Sequence, residues 1–288
     1  MNIGPYQLRA LEADRFKLDG GAMFGVVPSV LWQKTNPADS RNRIDMTTRC
    51  LLIEGPPGPI LVDVGIGGKG DKKFRSIFAQ EEAAGGLTGA LQRLGLEPGD
   101  IRHVILTHLH FDHVGGLTRL DQAGAPQPLF PNARHWFQRR QLDWARSPSL
   151  RDRASYQPTN WEPILAAGLG EVVDGDAEIF HGIRLYCVNG HTPAMQLVEI
   201  ADEQNNLLYC ADLIPTQSHI PLPFIMGYDL EAITTLREKE RFLASAVERS
   251  TLLFFEHDPV NIVSRVIPHG NDYRAEPATW EQESTTTR

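Results

Sequence analysis

The segment Thr107-His108-Leu109-His110-Phe111-Asp112-His113-Val114-Gly115-Gly116 follows directly on the apolar run His103-Val104-Ile105-Leu106. Three imidazoles and a carboxylate within six residues cannot pack into an apolar core without partners. A strand that ends in such a turn presents these side chains at a sheet edge, where they need a common countercharge. Alternation along an extended segment puts His108 and His110 on one side, and the turn that follows can swing Asp112 and His113 towards a second point nearby. One loop could therefore grip two metal ions. Gly115 and Gly116 are expected to let the backbone bend sharply away without a Cβ clash.

One loop cannot complete two coordination spheres, so other strand ends should supply further ligands. Gly190-His191-Thr192-Pro193 follows the strand-like run 184–188, Ala211-Asp212 ends the run 207–211, and Glu256-His257-Asp258-Pro259 ends the run 251–257. Each places a hydrophilic side chain at the C-terminal end of an apolar run, where side chains can converge on a cleft.

Further β-branched runs at 48–54, 59–64 and 197–201 read as strands, as does 103–107. Residues Leu87 to Leu94, closed by Gly95, and Asp229 to Ser250 carry helical spacing and end signals. The run 251–257 reads as the last strand, and 138–170 as an irregular or helical insertion able to cover substrate. The order is neither strict strand–helix alternation nor all-β, so an α+β class with helices outside packed sheets fits best.

The 288 residues are 41% hydrophobic and 22% charged, with a net charge of −8, which excludes disordered and fibrous classes and disfavours a phosphate-backbone surface. Nucleic acid is not an expected partner. No apolar run approaches a membrane span, and the N-terminus lacks a secretion core, so a cytoplasmic location is expected. Residues 1–280 are expected to form one domain and the polar end 281–288 to fray. Cys50, Cys187 and Cys210 sit singly in apolar runs and read as reduced core thiols.

With these motifs the chain resembles the metallo-β-lactamase superfamily over roughly residues 45–260, including Leu61-Val62-Asp63-Val64-Gly65, which looks like that family's strand-ending Asp-x-Gly. The resemblance implies a four-layered αββα sandwich. It implies that His108, His110 and His191 hold one metal, that Asp112, His113 and His257 hold the other, and that Asp212 bridges. Zinc is the default pair of ions, with Mn²⁺, Fe²⁺ or Co²⁺ compatible with the same ligands. The implied chemistry is hydrolysis by a metal-bridging hydroxide, with Asp112 orienting it and carrying a proton, and Asp63 steadying a ligand imidazole from behind.

Departures narrow the branch. Flavo-diiron members have Glu where this chain has His110, antibiotic-hydrolysing members usually lack the Asp at position 112, and RNA-processing members use basic exosites. Hydroxyacylglutathione hydrolases carry a basic C-terminal part not found here. The chain is most similar to the lactonase-like branch of acyl-homoserine lactone and organophosphate hydrolases, and within it, through Met23 to Trp32, the loop Thr107 to Gly116, and Asp212-Leu213-Ile214-Pro215-Thr216 with the later Tyr228-Asp229, to YtnP-type quorum-quenching lactonases. That resemblance implies opening of lactones or esters, the alternative being a phosphotriester or thioester hydrolase, with a small-molecule substrate and a possible homodimer. Many homoserine lactonases have Tyr three residues after the bridging Asp; Pro215 stands here, leaving Tyr228 or His219 as the substitute donor. Met23, Phe24, Trp32, Phe111, Leu222, Phe224, Ile225 and Met226 are the apolar pocket candidates, with Trp32 and Phe224 foremost. His103, His135, His181 and His269 read as structural or exposed.

Overall fold

The strands Tyr6–Asp19 and Arg43–Glu54 pair antiparallel along almost their whole length and form the spine of the first sheet. In this computed structural model, which describes residues 1–280, the sheet continues through Ile60–Val62, His103–Ile105, Arg134–Gln138 and Gly170–Val173, the last four strands pairing parallel. The second sheet runs Ala177–Phe180, Ile183–Val188, Met195–Ala201, Asn206–Tyr209, Leu252–Phe254, Val263–His269 and Asp272–Pro277. Its one parallel pair, Asn206–Tyr209 with Leu252–Phe254, needs a crossover, which the helix Ala232–Arg249 supplies.

The inner faces meet in one buried cluster: Leu8, Leu51, Ile53, Ile60, Val62 and Ile105 from the first sheet pack with Ile183, Leu185, Leu197, Leu207 and Leu253 from the second. On the other face of the first sheet, Leu11, Cys50, Leu52, Leu61 and Val104 pack against helical Leu87, Leu91, Leu142 and Ile164. Residues 50–53 are thus buried on both faces, which is why they read as an unbroken apolar run rather than an alternating one. Leu243 and Ala246 of the long helix join the second sheet. The layers are α, β, β and α, the expected α+β sandwich.

The helices expected at 87–94 and 229–250 form as Gly86–Gln92 and Ala232–Arg249, with Gly95 at φ 76° and Ser250 at φ 53° closing them. Segment 138–170 contains the helices Arg139–Arg146 and Glu162–Ala166. The run 251–257 is not the last strand, because the hairpin Val263–His269/Asp272–Pro277 follows it. That hairpin lies at a sheet edge and mixes Ser, Arg and Pro with its apolar residues, so it carries little apolar signal. The strand Tyr6–Asp19 is masked in the same way by its charged positions. A register shift between Glu12 and Asp14 turns Asp14 inward, where its carboxylate accepts from the Ile66 amide at 2.9 Å and from Gln80 at 3.0 Å. The polar end 281–288 lies outside the described residues. Among the described residues no helix is long and apolar enough to cross a membrane.

Gly115 and Gly116 serve a different purpose from the one expected. Neither has a positive φ. A Cβ on Gly115 would lie 2.0 Å from the Ile66 carbonyl oxygen, and one on Gly116 would lie 2.2 Å from that of Val64. The two glycines therefore let the histidine loop press backbone to backbone on the loop after Asp63. Gly116→Ala should cost about 1–3 kcal/mol, the usual penalty of overpacking against backbone that cannot yield, as read by urea denaturation.

Candidate metal centre

Every candidate ligand leaves the end of a strand. His108 and His110 follow His103–Ile105, and Asp112 and His113 occupy the single helical turn Phe111–Val114. His191 follows Ile183–Val188, Asp212 follows Asn206–Tyr209, and His257 follows Leu252–Phe254. All seven side chains are buried and converge on one place. Donor atoms of His108, His110, His191 and Asp212 lie within 4.8 Å of one another, and so do those of Asp112, His113 and His257.

Asp212 stands between the two groups. Its Oδ2 lies 3.1 Å from His191 Nε2 and 3.9 Å from His108 Nε2, while its Oδ1 lies 3.1 Å from His257 Nε2 and 3.6 Å from His113 Nε2. Burial alone would raise this carboxyl, but His257, His113 and His191 hold it well below the usual range. Burial opposes a charge on His257 too, and Asp212 overrides it, pushing that imidazole up to about 9. His108 and His110 have no such direct partner. Burial, with the neighbouring imidazoles, drives both well below 6.5.

The outer nitrogens decide which way the lone pairs point. His191 Nδ1 donates to Asp229 Oδ1 at 2.8 Å, His257 Nδ1 to the Thr47 carbonyl at 2.9 Å and His113 Nδ1 to Asp63 Oδ2 at 3.0 Å. Each bond orients its ring so that Nε2 points inward, where its lone pair becomes free for a cation once the proton that the nearby carboxylates favour has left. Asp63, at φ 53°, also accepts from the Thr107 amide at 2.8 Å and its hydroxyl at 2.6 Å, which fastens the strand end before the histidines.

These donors fit metal ions. His110 Nδ1 faces both His108 Nε2 at 3.0 Å and His191 Nε2 at 3.1 Å, and His257 Nε2 faces His113 Nε2 at 3.2 Å. Ring nitrogens aimed at ring nitrogens in a dry site repel unless a proton or a cation lies among them. Asp212 Oδ1 is moreover buried without a hydrogen-bond partner. Imidazole and carboxylate donors suit zinc and related divalent ions.

Two carboxylates whose supporting roles were not expected stand behind the imidazoles, although Asp229 falls in the motif Tyr228-Asp229 and Glu256 in Glu256-His257-Asp258-Pro259. Asp229 lies at the start of the region read as helix, yet it serves as the partner of His191. Glu256 is fully buried, its Oε2 2.9 Å from His113 Nδ1, and burial raises its carboxyl to about 8. Asp63 at 3.0 Å and Glu256 at 2.9 Å share that nitrogen, and the three residues form a third buried donor group on the outer side of the His113 ring.

A cavity of about 400 Å³ opens over the site, floored by His110, Asp112, His191, Asp212 and His257. Phe111 and Tyr228 line it, together with Leu18, Met23, Phe78, Met226 and Arg151. Phe24, Trp32, Phe224 and His219 lie one layer behind that wall. Phe24 is sandwiched between Trp32 at 5.3 Å and His219 at 4.5 Å, with Phe224 edge-on at 6.1 Å. His219 spends both ring nitrogens on support: Nδ1 accepts from Thr216 at 2.7 Å and Nε2 donates to the Met23 carbonyl at 2.8 Å. Burial lowers it to about 3, so it is a neutral structural imidazole. Tyr228 is the donor candidate that faces the cavity. Of the remaining histidines, His135 is buried, His103 meets the Phe180 ring at 4.7 Å and a tilt of 56°, and His181 is 98% exposed on its side chain.

An αββα sandwich with histidines and aspartates gathered at one edge defines a class, that of the metallo-β-lactamase fold. The chain belongs to the metallo-β-lactamase superfamily, whose family model matches residues 44–248. An N-acyl homoserine lactonase of Bacillus cereus is 27% identical over 235 residues, which span 75% of this chain and 83% of the relative. A probable metal-dependent hydrolase from Staphylococcus aureus is 30% identical and superposes with a TM-score of 0.86, covering 97% of this chain and 100% of that one. AidC, described as a dizinc quorum-quenching lactonase in complex with its product, shares the fold at a TM-score of 0.80 and 19% identity over 98% of this chain and 97% of its own.

Two outcomes follow from this geometry. Asp229→Ala frees the outer nitrogen of His191 and should weaken metal affinity by about 10–100-fold in a chelator competition titration. Trp32→Ala removes a buried slab behind the cavity and should lower stability by about 3–5 kcal/mol in chemical denaturation.

Proposed function

We propose that the protein is a metal-dependent hydrolase that opens lactones or related esters, with acyl-homoserine lactones as the leading substrate type. The observation that carries this reading is the position of Asp212, one oxygen turned to His108 and His191 and the other to His113 and His257. His108, His110 and His191 would hold one ion, Asp112, His113 and His257 a second, with Asp212 shared; zinc is the proposed metal. Two divalent ions in such a site supply Lewis-acid charge and a water of lowered pKa.

The chain's own groups then divide the work. Asp112 lines the cavity floor with its oxygens 3.9 Å from the Nε2 atoms of His113 and His257, so its carboxylate can take the proton of the attacking water and return it to the leaving alkoxide. The acyl C–O bond breaks, and a carboxylate and an alcohol result. Burial, with Asp19 and Asp112 nearby, raises Tyr228 to about 12, so its hydroxyl stays protonated at neutral pH and can donate to a substrate oxygen in the place of the tyrosine that Pro215 replaces. Leu18, Met23, Phe78, Phe111 and Met226 exclude water and can receive an acyl chain, at about 0.8 kcal/mol for each methylene buried. Residues 1–280 acting as one domain and a homodimer remain part of the proposal.

The test is metal analysis followed by pH-indicator assays on an acyl-homoserine lactone, an aliphatic lactone, an aryl ester and a phosphotriester. We expect about two ions per chain, the two lactones turned over fastest, and loss of both metal and turnover in His108→Ala and His113→Ala, beyond the ~10–100-fold typical of a lost supporting partner. Lactone hydrolysis by the metal-free protein would sink the assignment.

A further inference from the structure

The helix Ala232–Arg249 carries a lysine where a helix lying on a sheet would place an apolar residue. Lys239 is fully buried. Its Nζ donates to three backbone carbonyls of one loop: Pro221 at 2.8 Å, Phe224 at 2.9 Å and Leu222 at 3.3 Å. An ammonium has three N–H donors and a neutral amine only two, so this cage is complete only for the charged form. The loop is held from its other side by Asp272, whose Oδ1 accepts from the Leu222 amide at 2.8 Å. One peptide is thus strung between a buried cation and a carboxylate.

That loop leads straight into the cavity wall. Two residues past Phe224 come Met226, Gly227 and Tyr228, all lining the cavity, and then Asp229, which holds His191. The Gly227 amide donates to the Ala22 carbonyl at 2.7 Å, Arg151 donates to the Gly227 carbonyl, and a Cβ on Gly25 would lie 2.6 Å from the Ile225 carbonyl oxygen. Leu222 packs against the inter-sheet core and Phe224 against the cluster of Met23, Phe24 and Trp32, so the carbonyls held by Lys239 fix the turn between these two apolar anchors. One residue earlier on the same helix, Glu238 accepts from the Asn189 and Gly190 amides at 2.8 and 3.0 Å and so holds the His191 loop. A single turn of the helix therefore fastens two loops, one bearing a candidate ligand and the other the cavity wall.

We propose that Lys239 is the positioning residue of the substrate wall, its buried ammonium gathering the Pro221–Phe224 carbonyls so that Met226 and Tyr228 are presented to the cavity. The charged groups that face it are Asp229 from the loop and Asp272 from the edge strand, which favour the ammonium, with His219 neutral nearby. Burial outweighs the two carboxylates and lowers the amine to about 7. Protonation of Lys239 is thus poised near neutrality: below about pH 7 all three carbonyls are held, and above it the amine loses one donor and the loop loosens. The unfolded lysine keeps its proton up to about 10.4, so between the two values the unfolded chain binds more protons and global stability rises with pH even as the loop loses one of its three bonds.

Only the kinetic arm of the test rests on the hydrolase reading. Hydrogen exchange, corrected for intrinsic rates, is measured on the amides of Leu222, Phe224, Ile225 and Gly227, with Ile183–Val188 as internal reference, at pH 6 and pH 8.5. The wild-type loop should lose several-fold in protection at the higher pH while the reference strand does not, and Lys239→Met should show the loosened loop at both pH values with wild-type metal content. Lys239→Arg, charged throughout, should keep protection at pH 8.5. On any substrate turned over, KM should rise with pH in the wild type, more than kcat changes, and Lys239→Arg should flatten that rise. Equal loop protection at both pH values in the wild type, or in wild type and Lys239→Met, would overturn the proposal even if hydrolysis is found. If no substrate is found, the exchange result decides it alone, and if Lys239→Met does not fold, the wild-type and Lys239→Arg comparison does.

Discussion

Five imidazoles and two carboxylates packed out of contact with bulk water are the constraint on which this molecule is organised. Uncompensated, such a group would cost several kcal/mol for each unpaired polar atom and would be expelled from the interior. It persists because the donors converge inward while three of the five imidazoles are also tied from behind. The inner nitrogens and oxygens converge on shared points suited to divalent ions, and the outer nitrogens are tied to Asp229, Asp63 and the Thr47 carbonyl. Asp212 reaches both halves and makes them one site.

Long-range ties carry this arrangement. The candidate ligands leave strands of both sheets, so the inter-sheet core sets how far apart they lie, and the close approach of Gly115 and Gly116 to Ile66 and Val64 sets the depth of the histidine loop. The crossover helix adds the last constraint. Its Glu238 fastens the His191 loop and its Lys239 fastens the loop of Met226 and Tyr228, so the metal side and the substrate side of the cavity are referred to the same rigid element. A hydrolase needs this registration because a misplacement of about 1 Å between nucleophile and substrate can cost ~10²-fold in rate.

The division between what the chain announces and what it hides follows from the reach of each interaction. His108, His110, Asp112 and His113 are legible because they are local: four groups of one chemical kind, crowded after an apolar strand, leave few other readings. His191, Asp212 and His257 are legible as isolated polar residues at strand ends once the first group is known. Phe24, Trp32, Phe224 and His219 were expected at the cavity and instead stand behind Met23, since an aromatic in a loop reads the same whether it lines a wall or supports one. The strands Tyr6–Asp19 and Val263–His269 are hidden by their charged and proline positions, which a strand tolerates where solvent or a bulge takes them.

Residue order alone gives the layered α+β class and the candidate donor atoms, because strand periodicity and ligand clustering are short-range properties, and the hydrolytic chemistry follows from the family resemblance those motifs carry. Only tertiary structure decided that Asp229 and Glu256 stand behind the imidazoles, that Tyr228 rather than His219 faces the cavity, and that Lys239 grips its wall. Each of those depends on residues tens of positions apart meeting in a low-dielectric interior, where burial makes a hydrogen bond or a charge consequential and where spacing along the chain carries no record of the meeting.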